Sequence, residues 1–149
     1  MSNSKERSSL LDTQGVQDSM TEMRAVISSG GFSPEVADEV ITASIDEING
    51  LVAGVISTFD SAVFANNLDY ARYIAWSLLY DPVEVFTPPK VSAAQQKAAE
   101  LNIDDPAILA QIQESYSHIF KAWVAYQKHH LETSLEEAKG RENTSLEQK

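Results

Sequence analysis

Apolar residues recur along this chain in alternating steps of three and four, the period of a helix with one buried face. Ile41, Ile45, Ile48, Val52, Val55 and Phe59 follow one another at spacings of 4, 3, 4, 3 and 4. Leu109, Ile112, Tyr116, Ile119, Trp123, Tyr126 and His130 do so at 3, 4, 3, 4, 3 and 4. Both stripes are heptad-like seams of the kind that coiled coils use to lay helices side by side. Ahead of them, Val16, Met20, Met23 and Ile27, spaced 4, 3 and 4, predict a shorter N-terminal helix over residues 10–29.

Punctuation divides these stripes. In SSGGFSP (28–34) the paired glycines end the first helix, and Ser33 before Pro34 opens the second as N-cap and first-turn proline. Asn66-Asn67 either ends the second helix or kinks it, so residues 34–80 are one bent helix or two. Within 68–80, Leu68, Ala71, Ala75 and Leu78 share one face, while Tyr73, Trp76 and Tyr80 lie elsewhere around the cylinder. Pro82, Pro88 and Pro89 make DPVEVFTPPK (81–90) an extended connector, with Val83, Val85 and Phe86 pressed on the helices. VEVF also reads as a short edge strand, but no second strand offers to pair with it. Ser92 with Gln95 forms a capping box for a short helix to about Leu101, and Asp105-Pro106 starts the last one. Its apolar stripe fades near Leu131; charged residues carry it to about Lys139, where Gly140 is the expected stop.

The fold class that follows is all-α: an elongated helical bundle with two long heptad-like helices, a shorter N-terminal helix and a proline-rich connector. Residues 1–9 are expected to form a flexible polar arm, 10–139 one helical-bundle domain, and 140–149 a disordered polar tail. Elongation is expected because the 34 residues from Pro106 to Lys139 make roughly 51 Å of helix, against about 38 Å across a compact globule of this length. An elongated monomer covers its seams poorly, which favours an oligomer.

Charge narrows the possible partners. The 149-residue chain carries a formal charge of −11, and no lysine or arginine lies between Arg24 and Arg72. That interval holds Glu35, Asp38, Glu39, Asp46, Glu47, Asp60 and Asp69. Phosphate backbones and anionic membranes bind clustered cations, so neither nucleic acid nor an anionic lipid surface is the expected partner. The acidic face reads first as a solvated surface, and second as a surface for a basic partner. The opening MSNSKERSS has no apolar run behind it, which points away from a cleaved signal peptide and towards the cytoplasm.

Catalytic and metal-binding patterns do not emerge. The chain has no cysteine, which removes disulfides, thiolate metal sites and cysteine nucleophiles together. None of the histidines, His118, His129 and His130, has a glutamate three residues before it, as a di-iron bundle requires. Glu114 and His118 stand one helical turn apart, a spacing that more often serves a solvent-facing contact than a metal. The serines lack a nucleophile elbow, and Gly30-Gly31 lacks the preceding strand of a dinucleotide site. Adjacent carboxylates such as Asp38-Glu39, Asp46-Glu47 and Asp104-Asp105 diverge by about 100° on a helix and make no dyad by themselves. No enzymatic activity and no cofactor are expected. The aromatic set Tyr70, Tyr73, Trp76, Tyr80, Phe86, Tyr116, Phe120, Trp123 and Tyr126 reads as core between the third and last helices, with a ligand pocket or partner surface as the other readings.

The stretch INGLVAGVISTF (48–59) is uncharged. Over residues 48–68, nine strongly apolar residues contribute about −3 to −5 kcal/mol to membrane insertion, and Asp60 near the centre costs about 2.5 to 3.5 kcal/mol. Three asparagines and three hydroxyls consume the remainder, which argues against a span. Gly50 and Gly54 face away from the seam, on a side extended by Ala43, Ser57 and Ser61. Small residues admit a second backbone closely, either from a neighbouring helix of the same chain or from a second copy. The function expected is therefore a non-catalytic structural or assembly protein (filament, shell, virion-type or scaffold subunit) that self-associates or packs on another helical protein. Contact residues would be Ile45, Ile48, Val52, Val55 and Phe59 on one seam, Ile112, Tyr116, Ile119 and Trp123 on the other, and Gly50 and Gly54 on the close-approach face. The alternatives are a monomeric acidic adaptor or regulator and a bundle binding a small apolar ligand.

Overall fold

The computed structural model describes residues 9–81 and 91–147, the side chains of 142–147 excepted. Every regular element among them is a helix: α1 (Gln14–Ser29), α2 (Pro34–Phe64), α3 (Leu68–Tyr80), α4 (Ala93–Glu100) and α5 (Pro106–Glu147), with one helical turn at residues 9–12 ahead of α1. The all-α class and the two long helices stand as the sequence indicates.

Local chemistry sets the helix ends. The first helix begins at Gln14 rather than Leu10, because Thr13 is extended (φ −71°, ψ 124°) and its hydroxyl donates to the Ser9 carbonyl at 2.8 Å. Its other end follows the glycines: Gly31 has φ +86°, and the Gly30 and Gly31 amides donate to Ile27 and Ser28. A side chain at Gly30 would meet Ile108 Cδ1 at 2.6 Å, so helix α5 passes closely there. Ser33 caps α2 by accepting from the Val36 amide at 3.3 Å.

Residues 34–80 form two helices. Asn66 takes a left-handed conformation (φ 60°), the Asn67 amide donates to the Ala62 carbonyl and the Asn66 amide to Val63. That is the Schellman arrangement, with asparagine in the position glycine usually fills. Asn102 (φ 68°) repeats it after α4, with Ile103 donating to Ala98. Ser92 caps α4 by accepting from the Gln95 amide, and Asp105 caps α5 by accepting from the Ala107 amide. The expected stop at Gly140 does not occur, since α5 runs on to Glu147, through most of the tail expected to be disordered. One exposed glycine costs a helix only about 1 kcal/mol, too little to end one flanked by helix formers. The expected arm lies outside the described residues except for Ser9, as does the connector except for Asp81.

The chain forms two compact units, Met1–Leu51 with Pro89–Trp123, and Val52–Pro88 with Val124–Lys149, so each long helix contributes to both. The first unit packs Leu10, Val16, Met23, Ile27, Ile41, Ile45, Ile48, Ile103, Ile112 and Ile119 into an apolar core. Tyr116 and Trp123 are buried with them. The second buries Val52, Phe59, Ala62, Leu68, Ala71, Ile74, Ala75, Leu78, Val124, Leu131 and Ala138. Phe59 apart, its aromatics do not follow: Tyr70, Tyr73, Trp76, Tyr80 and Tyr126 are exposed. Among the described residues of the expected aromatic core only Tyr116 and Trp123, in the first unit, are buried, with Phe120 half-buried. The reason is geometric, because Leu68, Ala71, Ile74, Ala75 and Leu78 already supply α3 with a complete buried face.

Candidate interaction surface

The seam residues expected to make contacts fall in the chain's own interior. Ile45, Ile48, Ile112, Tyr116, Ile119 and Trp123 are buried in the first unit, Val52 and Phe59 in the second, and Val55 is half-buried. Gly50 and Gly54 are exposed, and a Cβ built on either meets nothing within 4 Å. Among the described residues, no helix therefore lies in the small-residue groove.

Polar ties cross between helices in each unit. In the first, Glu47 on α2 accepts two hydrogen bonds through Oε1, one from the Tyr116 hydroxyl on α5 and one from the Ala93 amide at 3.1 Å. The second bond sets a carboxylate at the N-terminus of α4, where unpaired amides and the helix dipole favour it. Burial, then the bond to Glu47 and the Glu47 charge, raise the Tyr116 pKa well above its usual 10.0. Ser92 Oγ also donates to Gln113 Oε1 at 2.6 Å. Arg24 pairs with Asp38, and His118 Nδ1 with Glu22 Oε2 at 3.2 Å rather than with Glu114. In the second unit, His130 Nε2 meets Asp60 Oδ1 at 2.8 Å and its ring stands edge-on to Phe59 at 6.0 Å. Among the described residues, no group of three or more His, Asp or Glu side chains is placed to hold a metal ion.

What the second unit presents outward is aromatic. On a helical wheel, Asp69, Tyr73, Trp76 and Tyr80 fall at steps of 4, 3 and 4 along the side of α3 opposite its buried face. Tyr73, Trp76 and Tyr80 are 46%, 51% and 68% exposed, with Tyr70 (47%) at the rim. Trp76 and Tyr80 are neighbours, ring centroids 6.4 Å apart. Arg72 flanks the stripe and donates to Asp69 at 3.3 Å. The spacing of these aromatics is the signal the sequence holds for this face: helix α3 is apolar on two sides, and a helix apolar all round is normally covered.

Helix α2 is long and apolar enough to cross a membrane by length and composition alone, with mean hydropathy 1.4 over its most apolar 18 residues. A core helix meets the same test, and 39% of that window is buried inside this chain.

Comparisons with protein-family models, curated proteins and solved structures find no match to this chain.

Proposed function

We propose that this protein is a non-catalytic assembly subunit, a helical-bundle protein that associates with copies of itself through an exposed helix face. The observation that carries this reading is the aromatic side of α3. Tyrosine and tryptophan are the side chains most enriched at the energetic centres of protein interfaces, and three of them stand here at interface spacing, about half exposed. Most residues of the two long seams fill the cores of their own units, and in the second unit the buried face of α3 leaves its aromatic side outward.

Light-scattering mass after size exclusion, at several concentrations, tests the reading. The expected result is a mass that rises with concentration to a fixed or growing multiple of 16.4 kDa. A clean monomer at every concentration overturns it.

A further inference from the structure

Resting on that reading, we infer that the partner on the aromatic face is the α3 helix of a second copy, packed antiparallel about a two-fold axis. The seam Asp69, Tyr73, Trp76, Tyr80 is self-complementary in this sense only. An antiparallel pairing centred between residues 74 and 75 sets Tyr73 against the partner's Trp76 and Trp76 against the partner's Tyr73. At each end, Asp69 then faces the partner's Tyr80. Offset or edge-on aromatic pairs fill the middle, and the phenol of the partner's Tyr80 donates to the Asp69 carboxylate, a charge-assisted hydrogen bond. Parallel pairing would instead oppose Asp69 to the partner's Asp69, two like charges at one layer. Two-fold isologous contact is also the commonest way for identical chains to associate.

Area agrees with a dimer of modest strength. Aromatic side chains bury about 150–250 Å² each, so the exposed fractions of Tyr70, Tyr73, Trp76 and Tyr80 amount to roughly 300–500 Å² per copy. Asp69, whose side chain is 100% exposed, and Arg72, at 50%, add to this. A standard interface takes about 800 Å² per partner and smaller ones are weak or transient. The dissociation constant expected is accordingly on the order of micromolar.

Sedimentation equilibrium on the full chain and on single variants tests the pairing, with circular dichroism and urea midpoints confirming that each variant folds. Trp76→Ala is expected to raise the dimer dissociation constant by at least about 30-fold. Tyr80→Phe, which keeps the ring and removes the donor, is expected to raise it about threefold to tenfold. Orientation is read by cross-linking, because the chain has no cysteine of its own. Under oxidation, a mixture of Asp69→Cys and Tyr80→Cys copies should form the mixed disulfide, while Asp69→Cys alone should not. Its two sulfurs would sit about 16 Å apart along the antiparallel pair. An oligomer that persists unchanged in Trp76→Ala overturns the α3 pairing and leaves the assembly reading standing. Efficient self-cross-linking of Asp69→Cys overturns the antiparallel arrangement. A wild-type chain that stays monomeric, whether or not it floats with phosphatidylcholine vesicles, overturns both.

Discussion

The two tryptophans show how differently the two compact units use the same kind of residue. Trp123, in the first unit, is 3% exposed and sits with Tyr116 in a core of isoleucines, whereas Trp76, in the second, is 51% exposed on α3. The first unit also ties its helices with a half-buried carboxylate that serves two donors, Glu47 to Tyr116 and Ala93. The second has the half-exposed pair Asp60–His130 in the corresponding role. One unit thus spends its aromatic and polar groups on its own stability. The other buries Phe59 but keeps Trp76 and the tyrosines of α3 largely outside, where they contribute less to folding.

Truncating each tryptophan is the sharpest way to break this contrast. Measured by urea denaturation at a concentration low enough to keep the chain monomeric, Trp123→Ala should cost about 3–5 kcal/mol. Trp76→Ala, which loses only a half-buried ring, should cost about 1 kcal/mol or less. Equal losses would mean that Trp76 is as much a core residue as Trp123, and the aromatic face would cease to be a surface.

The next effect is polar. Glu47→Ala leaves the Tyr116 hydroxyl and the Ala93 amide without their acceptor and is expected to cost about 1–3 kcal/mol. Asp60→Ala in the second unit removes a solvent-screened pair and should cost no more than about 0.5 kcal/mol. The Glu47 tie also has a signature in alkali. The Tyr116 pKa is raised in the folded chain, so its contribution is complete below the unfolded value near 10 and is lost as pH rises through the folded value. Above about pH 10 the wild type should lose up to about 1.4 kcal/mol per pH unit more than Tyr116→Phe. Parallel alkaline limbs in the two proteins would show that Tyr116 ionises as freely folded as unfolded.

Much of this arrangement was legible in the sequence, because it depends on local signals. The seams through Ile41–Phe59 and Leu109–His130 reported buried faces, except that Tyr126 and His130 at the end of the second are exposed, and Ser33, Ser92 and Asp105 reported helix starts. Where local signals compete, they do not fix the helix ends. Thr13 turned its hydroxyl back to Ser9 and delayed α1, and Gly140 was too weak a breaker to stop α5. The Glu47–Tyr116 tie joins residues 69 apart in the chain, which no periodicity can reveal. The aromatic side of α3 was misassigned to the core because composition marks both sides as apolar, and only packing decides which one is filled.

The smallest expected effect compares the units at matched positions. Gly50 and Gly54 lie one helical turn apart on the exposed side of α2, one counted in each unit, and a methyl group at either meets open space. Replacing either with alanine removes only the conformational freedom that glycine gives the unfolded chain, so each should stabilise by about 0.5–1 kcal/mol. If the units unfold together, the two gains in urea midpoint should be equal. If the second unit opens first, Gly54→Ala should raise an early phase of the transition and Gly50→Ala a later one. The same pair of variants separates two surfaces on one molecule. Association through α3 leaves the dimer constant of Gly50→Ala and Gly54→Ala unchanged, whereas a partner backbone seated in the glycine groove would be pushed off by the added methyls. A weakened dimer in either variant would therefore move the interface from the aromatic side of α3 to the small-residue side of α2.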